Sequence, residues 1–238
     1  MSLANKFGES RVSSGALSDD VLPHNQSLEA IISFVRKQLS RWVADPDTNK
    51  NEAENGLNES LCGFLNIQSR SDLPLCHFMH EVSQRGRRKV DFAAKPVQHI
   101  LVEGHLYTKN DPVFVIEGKL LPPPGKKRER EYLTGLDGEI TGGVQRFKLG
   151  EHGGKFDRAA IVGYVMKNNF QYWHKTINSW IDELILSDHY LEWRESEKLI
   201  LIQDDKQIAH SISNNFRDAA KCKSNTILLH HFWVNMGS

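Results

Sequence analysis

Apolar residues recur every three to four positions from Leu28 through Ile31, Ile32, Val35 and Leu39 to Trp42. This spacing predicts an amphipathic helix with Ser27 as its N-cap. The segment 45–51 (DPDTNKN) breaks it, and Leu57, Leu61 and Leu65 then mark a second helix over about 52–65. The period next shortens. Segments 77–84, 88–95 and 113–121 read as strands, the first two joined in a hairpin around Gly86. Three prolines at 122–124 and a KKRERE run push the chain outward into a loop. A short helix is expected over 139–149 and an apolar strand over 159–166. Segment 170–186 is a second strongly amphipathic helix, with Phe170, Trp173, Ile177, Ile181 and Leu184 on one face. Strands over 199–203 and 226–235 close the chain. The order predicts one α/β domain over 27–238, preceded by a polar arm over 1–26.

Two of the predicted strands carry charge where a buried strand excludes it. Asp91 interrupts RKVDFAAK, and Glu117 and Lys119 interrupt VFVIEGKLL. Side chains alternate along a strand, so Glu117 and Lys119 share one face about 7 Å apart. An unpaired buried carboxylate costs several kcal/mol, so these residues need partners or a function. If the Asp91 strand lies beside the other, two carboxylates and an ammonium converge, which makes a metal site with an adjacent lysine. Glu54 lies one turn before Leu57 on the same helical stripe. It either favours the helix N-terminus electrostatically or points to the same place.

Composition narrows the field. Thirty basic and thirty acidic residues give no net charge, so any polyanion must be held by local patches or through a partner. Such patches exist at Arg85, Arg87, Arg88 and Lys89, at Lys126, Lys127, Arg128 and Arg130, and at Arg146 and Lys148. No apolar run approaches a membrane span and the N-terminus has no signal-peptide core, so a cytoplasmic protein without membrane contact is expected. Cys62, Cys76 and Cys222 have neither disulfide nor zinc spacing. The GEHGGK segment at 150–155 lacks the spacing of a phosphate loop, and His230 and His231 alternate faces, which predicts one core and one surface histidine. His77 and His80 likewise fall on opposite faces.

A helix, three strands, a helix and a strand, with Asp91 on the second strand and Glu117-Gly118-Lys119 on the third, resemble the PD-(D/E)XK nuclease superfamily over about 52–186. Val90 stands where the name-giving motif has proline. The resemblance implies a restriction-endonuclease-like α/β fold, a mixed central sheet flanked by helices (an αβββαβ core). It implies Mg²⁺ or Mn²⁺ held by Asp91, Glu117, the Gly118 carbonyl and Glu54. Hard carboxylate oxygens suit such ions, whose Lewis acidity serves phosphodiester hydrolysis. Lys119 would orient the attacking water or neutralise developing charge, and Gln145 would match the glutamine of RecB-like branches. The implied function is a nuclease acting on DNA, with RNA left open, as effector subunit of a prokaryotic anti-phage or restriction system beside an ATPase or helicase. The alternative is a non-catalytic scaffold subunit that keeps the fold.

Overall fold

The structure is a computed structural model that describes residues 24–84, 88–102, 105–136, 139–187 and 191–237. Helix α1 (His24–Ala44) buries all six positions of its expected stripe, Leu28, Ile31, Ile32, Val35, Leu39 and Trp42. It begins three residues before Ser27, the expected cap. The rest of the expected arm lies outside the described residues, as does the turn around Gly86 with Arg85 and Arg87. Helix α2 (Glu54–Asp72) runs seven residues beyond its expected end. Its polar last turn is held by α1, because Asp72 accepts hydrogen bonds from Lys37 and Gln38 at 3.2 and 2.9 Å.

Seven strands form one mixed sheet: β1 (Cys76–Ser83), β2 (Lys89–Pro96), β5 (Phe114–Leu121), β6 (Arg158–Val165), β7 (Ile200–Asp204), β8 (Ile208–Phe216) and β9 (Thr226–Asn235). The spatial order is β1-β2-β5-β6-β9-β8-β7. β5, β6 and β9 run parallel, and every other pairing is antiparallel. The parallel strands lie at the centre, and β6 has no exposed residue, as expected of a strand covered on both faces. Helices α1 and α2 cover one face, where Trp42 and Asn58 meet Tyr164 of β6. Helix α3 (Gly143–Lys148) and helix α4 (Phe170–Ser187) belong to the other, where His174 of α4 meets Trp233 of β9. α3 is shorter than the expected 139–149 helix. All five residues of the predicted α4 face are buried. The fold is therefore mixed α/β with helices flanking a seven-stranded sheet. No helix among the described residues is long and apolar enough to cross a membrane.

Two features depart from the sequence expectation. A small hairpin, β3 (Ile100–Val102) with β4 (His105–Tyr107), is inserted between β2 and β5. β8 is the larger surprise, because its buried positions include His210, Ser211, Ser213 and Asn215. Polar side chains of β9 and a loop meet His210, Ser213 and Asn215 directly or through one another, whereas the Ser211 hydroxyl has no hydrogen-bond partner among the described residues. His231 lies between the Tyr132 hydroxyl at 2.8 Å and the Ser213 hydroxyl at 2.8 Å, and Asn215 donates to Ser213 at 2.7 Å. On the opposite face His210 and His230 are joined nitrogen to nitrogen at 3.1 Å. His230 and His231 do face opposite sides, but both are buried, which corrects the expected surface histidine. Burial holds His210 and His230 down to about 4 and His231 to about 3, so all three are neutral at pH 7.

Candidate active site

The site forms where the sheet comes apart. β2 pairs with β5 through only Phe92–Ile116, Ala93–Val115 and Ala94–Phe114. One residue further on, the Asp91 carboxylate takes over from the ladder, its Oδ2 accepting from the Gly118 N–H at 2.7 Å. Glu54, in the first turn of α2, does the same for the Leu120 N–H at 3.0 Å. Two backbone donors of β5 on the side that β2 has left are thus met by carboxylates rather than by a strand. Gly118 is needed there for space, because a Cβ on it would lie 1.8 Å from Oδ1 of Asn58. Asn58 is itself fixed by the Tyr164 hydroxyl at 2.7 Å.

On the other face of β5, Lys119 sits among the acids. Its Nζ lies 3.0 Å from Glu54 Oε1 and 3.0 Å from Glu117 Oε1. The Lys119 side chain is 5% exposed and that of Glu117 is 1% exposed, so these charges interact with little screening. Arg146 of α3 brings Nη1 to 2.8 Å from Glu117 Oε1. His152, in the loop after α3, brings Nδ1 to 3.0 Å from Glu117 Oε2. That approach is poorly directed, and neither buried atom has an aligned hydrogen-bond partner. The structure therefore brings Glu54, Asp91, Glu117, Gly118 and Lys119 together, and it adds Arg146 and His152.

Three carboxylates face two permanent cations, and the imbalance falls on Asp91. Burial first, then the Glu117 charge, pushes its carboxyl up from 3.8 to about 7, against the pull of Lys119 and the Gly118 N–H. For Glu117, burial alone would raise the value, but Lys119, His152 and Arg146 outweigh it and hold the group well below the carboxylate range. For Lys119, burial favours the neutral amine, yet Glu117, Glu54 and Asp91 together hold it firmly protonated.

Gln145 has a different place from the one expected. Its Oε1 accepts from the backbone N–H groups of Gly135 at 2.9 Å and Gly142 at 3.2 Å, so it fastens the loop entering α3. No hydrogen bond from it reaches the carboxylates. The basic clusters also divide. Arg88 donates to the Ile140 carbonyl at 3.2 Å and pairs with Glu151 at 3.1 Å, beside the site. Arg128 is forked onto Glu131 at 2.6 and 2.8 Å within the field of Glu54. Lys89 pairs with Glu81, Arg130 with Glu183, and Lys148 is buried against Glu197 at 2.5 Å.

Among the described residues, no three His, Cys, Asp or Glu side chains form a ready metal-binding group. Both Glu54 oxygens are engaged, and Glu117 has basic neighbours at both of its own. The chemistry of the donors nevertheless fits a hard divalent cation at Asp91. Among the described residues no protein donor bonds its Oδ1, and its raised value marks a negative charge that lacks a counter-ion. Compared with family models, curated proteins and solved structures, the chain matches none.

Proposed function

We propose that the chain is a metal-dependent nuclease of the PD-(D/E)XK type, hydrolysing phosphodiester bonds of DNA. The observation that carries this reading is the under-compensated Asp91 beside a buried, permanently charged Lys119 and Glu117. The order α2, β1, β2, β5, α3, β6 supports the corresponding restriction-endonuclease-like fold. Asp91 and Glu117 would hold Mg²⁺ or Mn²⁺, with the Gly118 carbonyl close by. The ion would supply Lewis acidity toward the phosphate and its attacking water. Lys119 is too firmly protonated to act as a base at neutral pH. It acts as a fixed positive charge aimed at developing negative charge on phosphorus. Glu54 holds that ammonium and the Leu120 N–H in place, so its role is positioning. By family analogy the protein would serve as the nuclease subunit of a prokaryotic anti-phage or restriction system, in the cytoplasm and with an ATPase or helicase partner.

A specific observation favours the second reading, a non-catalytic scaffold. Glu117 has Lys119, Arg146 and His152 around it and needs no metal for its own charge. Plasmid nicking with Mn²⁺ or Mg²⁺ separates the two. The nuclease reading expects cleavage that falls at least about a thousandfold in both Glu117→Ala and Lys119→Ala. It also expects calorimetric Mn²⁺ binding that is lost in Asp91→Ala. Cleavage equal in the variants and the parent, or no Mn²⁺ binding by the parent, overturns it in favour of the scaffold.

A further inference from the structure

The loop after α3 has two sides. Toward the core, His152 touches Glu117 and Gly153 lies against Phe147 and Val115. Toward solvent, Gly150, Gly154 and Lys155 of the same loop form part of a cleft of about 730 Å³, within the range of small-ligand sites.

The loop is wound in a fixed shape. Gly150 and Gly153 have φ of +69° and +61°. A Cβ on Gly150 would lie 2.5 Å from the sulfur of Cys222, and the Gly154 carbonyl accepts from the Lys223 N–H at 2.9 Å. These contacts bring Lys155, Lys221 and Lys223 to one cleft although they are far apart in sequence. All three are exposed. Among the described residues, Lys155 and Lys223 have no carboxylate within ion-pair range, and Lys221 has only Asp218 at 3.8 Å. Of the two acids that line the cleft, Glu151 is paired with Arg88 at 3.1 Å, and Asp111 accepts from the neutral Thr108 at 2.8 and 2.9 Å. The three lysines therefore leave an excess of positive charge in one concave place on a protein of zero net charge. Tyr107 and Phe156 also line the cleft, as do Ser83 and Gln84, so aromatic and polar residues stand beside the lysines.

We propose that this cleft binds a phosphate-bearing nucleotide unit, its phosphates on Lys155, Lys221 and Lys223 and its base toward Tyr107 and Phe156. The chemistry is shared by a free nucleotide and by a segment of a nucleic-acid strand. The site does not depend on the nuclease reading, because it uses none of the residues around Asp91. Occupancy would bear on Glu117 through His152, two residues from the Gly150 wall.

Binding of ADP and of fluorescein-labelled dT8 to the full chain tests this, by calorimetry and anisotropy at low salt with EDTA present. With EDTA, any metal-bridged contact at Asp91 is removed. The expected result is binding of at least one probe that weakens at least tenfold in the double variant Lys155→Ala, Lys223→Ala, with a smaller salt dependence. Saturable ADP binding identifies the free nucleotide as ligand, and binding of dT8 alone identifies a strand. Circular dichroism checks that the double variant is folded, and Lys155→Glu provides a second variant at an exposed position. Binding of neither probe, or binding unchanged in both variants, overturns the proposal. Absence of Mn²⁺ binding by the parent would overturn the nuclease and leave this site standing.

Discussion

Asp91→Asn should stabilise the fold while abolishing the proposed metal binding. The asparagine keeps an oxygen for the Gly118 N–H and discards a charge that burial and Glu117 disfavour. Asp91 is raised from 3.8 to about 7 in the folded chain. At about 1.4 kcal/mol per pH unit, ionising it there costs up to about 4 kcal/mol more than in the unfolded chain. Asp91 is only partly buried, and partial solvent access reduces the expected gain to about 2–4 kcal/mol at pH 8. The sign follows from proton counting. Below 3.8 both states are protonated and the penalty is absent. Between 3.8 and 7 the folded state binds the extra proton, so the penalty grows as pH rises, and above 7 it is constant. Urea unfolding of parent and variant from pH 4 to pH 8.5 measures the gap directly. The gap should open across that window and narrow when Mn²⁺ is added at pH 8, because the cation supplies the missing charge. A variant less stable than the parent at pH 8, or a gap independent of pH, would refute the reasoning.

The histidines of β8 and β9 act with the opposite slope. His210, His230 and His231 are held below their ordinary 6.5 by burial, so their contribution is complete above about 6.5 and is lost as pH falls toward 4. The melting temperature should drop over that interval, and His210→Gln should flatten the drop; an unchanged slope would exclude these residues as its source. Gly118→Ala forces a methyl onto Asn58 and disturbs its bond to Tyr164, so a loss of about 1–3 kcal/mol or more is expected in urea unfolding. Gln145→Ala leaves two backbone N–H groups without their acceptor and should cost about 1–3 kcal/mol. If Gln145 serves the loop alone, metal binding measured well below the unfolding transition should persist in that variant.

Charge on an apolar strand is a loud signal, and it made Asp91, Glu117 and Lys119 legible before any coordinates. Glu54 was legible for a related reason, since it continues the leucine stripe of α2. His152 gave no such signal. Its contact with Glu117 depends on a loop whose path is set by glycines at positive φ, and no periodicity encodes that path. Gln145 shows the opposite failure, because its placement on the helix after the Glu-x-Lys strand hid that its carboxamide faces two backbone donors. β8 escaped because isoleucines four apart among histidine, serine and asparagine show no strand-like alternation of apolar and polar positions. The facing Tyr132 and His231, far away in sequence, give part of that strand's polar face its hydrogen-bond partners. Helices α1 and α4 were fully legible, since each packs one continuous apolar stripe and needs no distant partner to explain it.

The splitting of β2 from β5 also has a consequence in time. Asp91 emerges from the ribosome before β5, and the basic residues that balance Glu117 emerge later still, at Arg146 and His152. Until that stretch has been made, the nascent chain holds Lys119 but lacks the other two basic partners of Glu117. β6 follows that stretch, and β9, whose parallel pairing with β6 completes the centre of the sheet, comes last. Such long-range pairing is slow to form. The paired arrangement is therefore a late product of synthesis, and a truncated chain released early would carry the acids of the site without the geometry that pairs them.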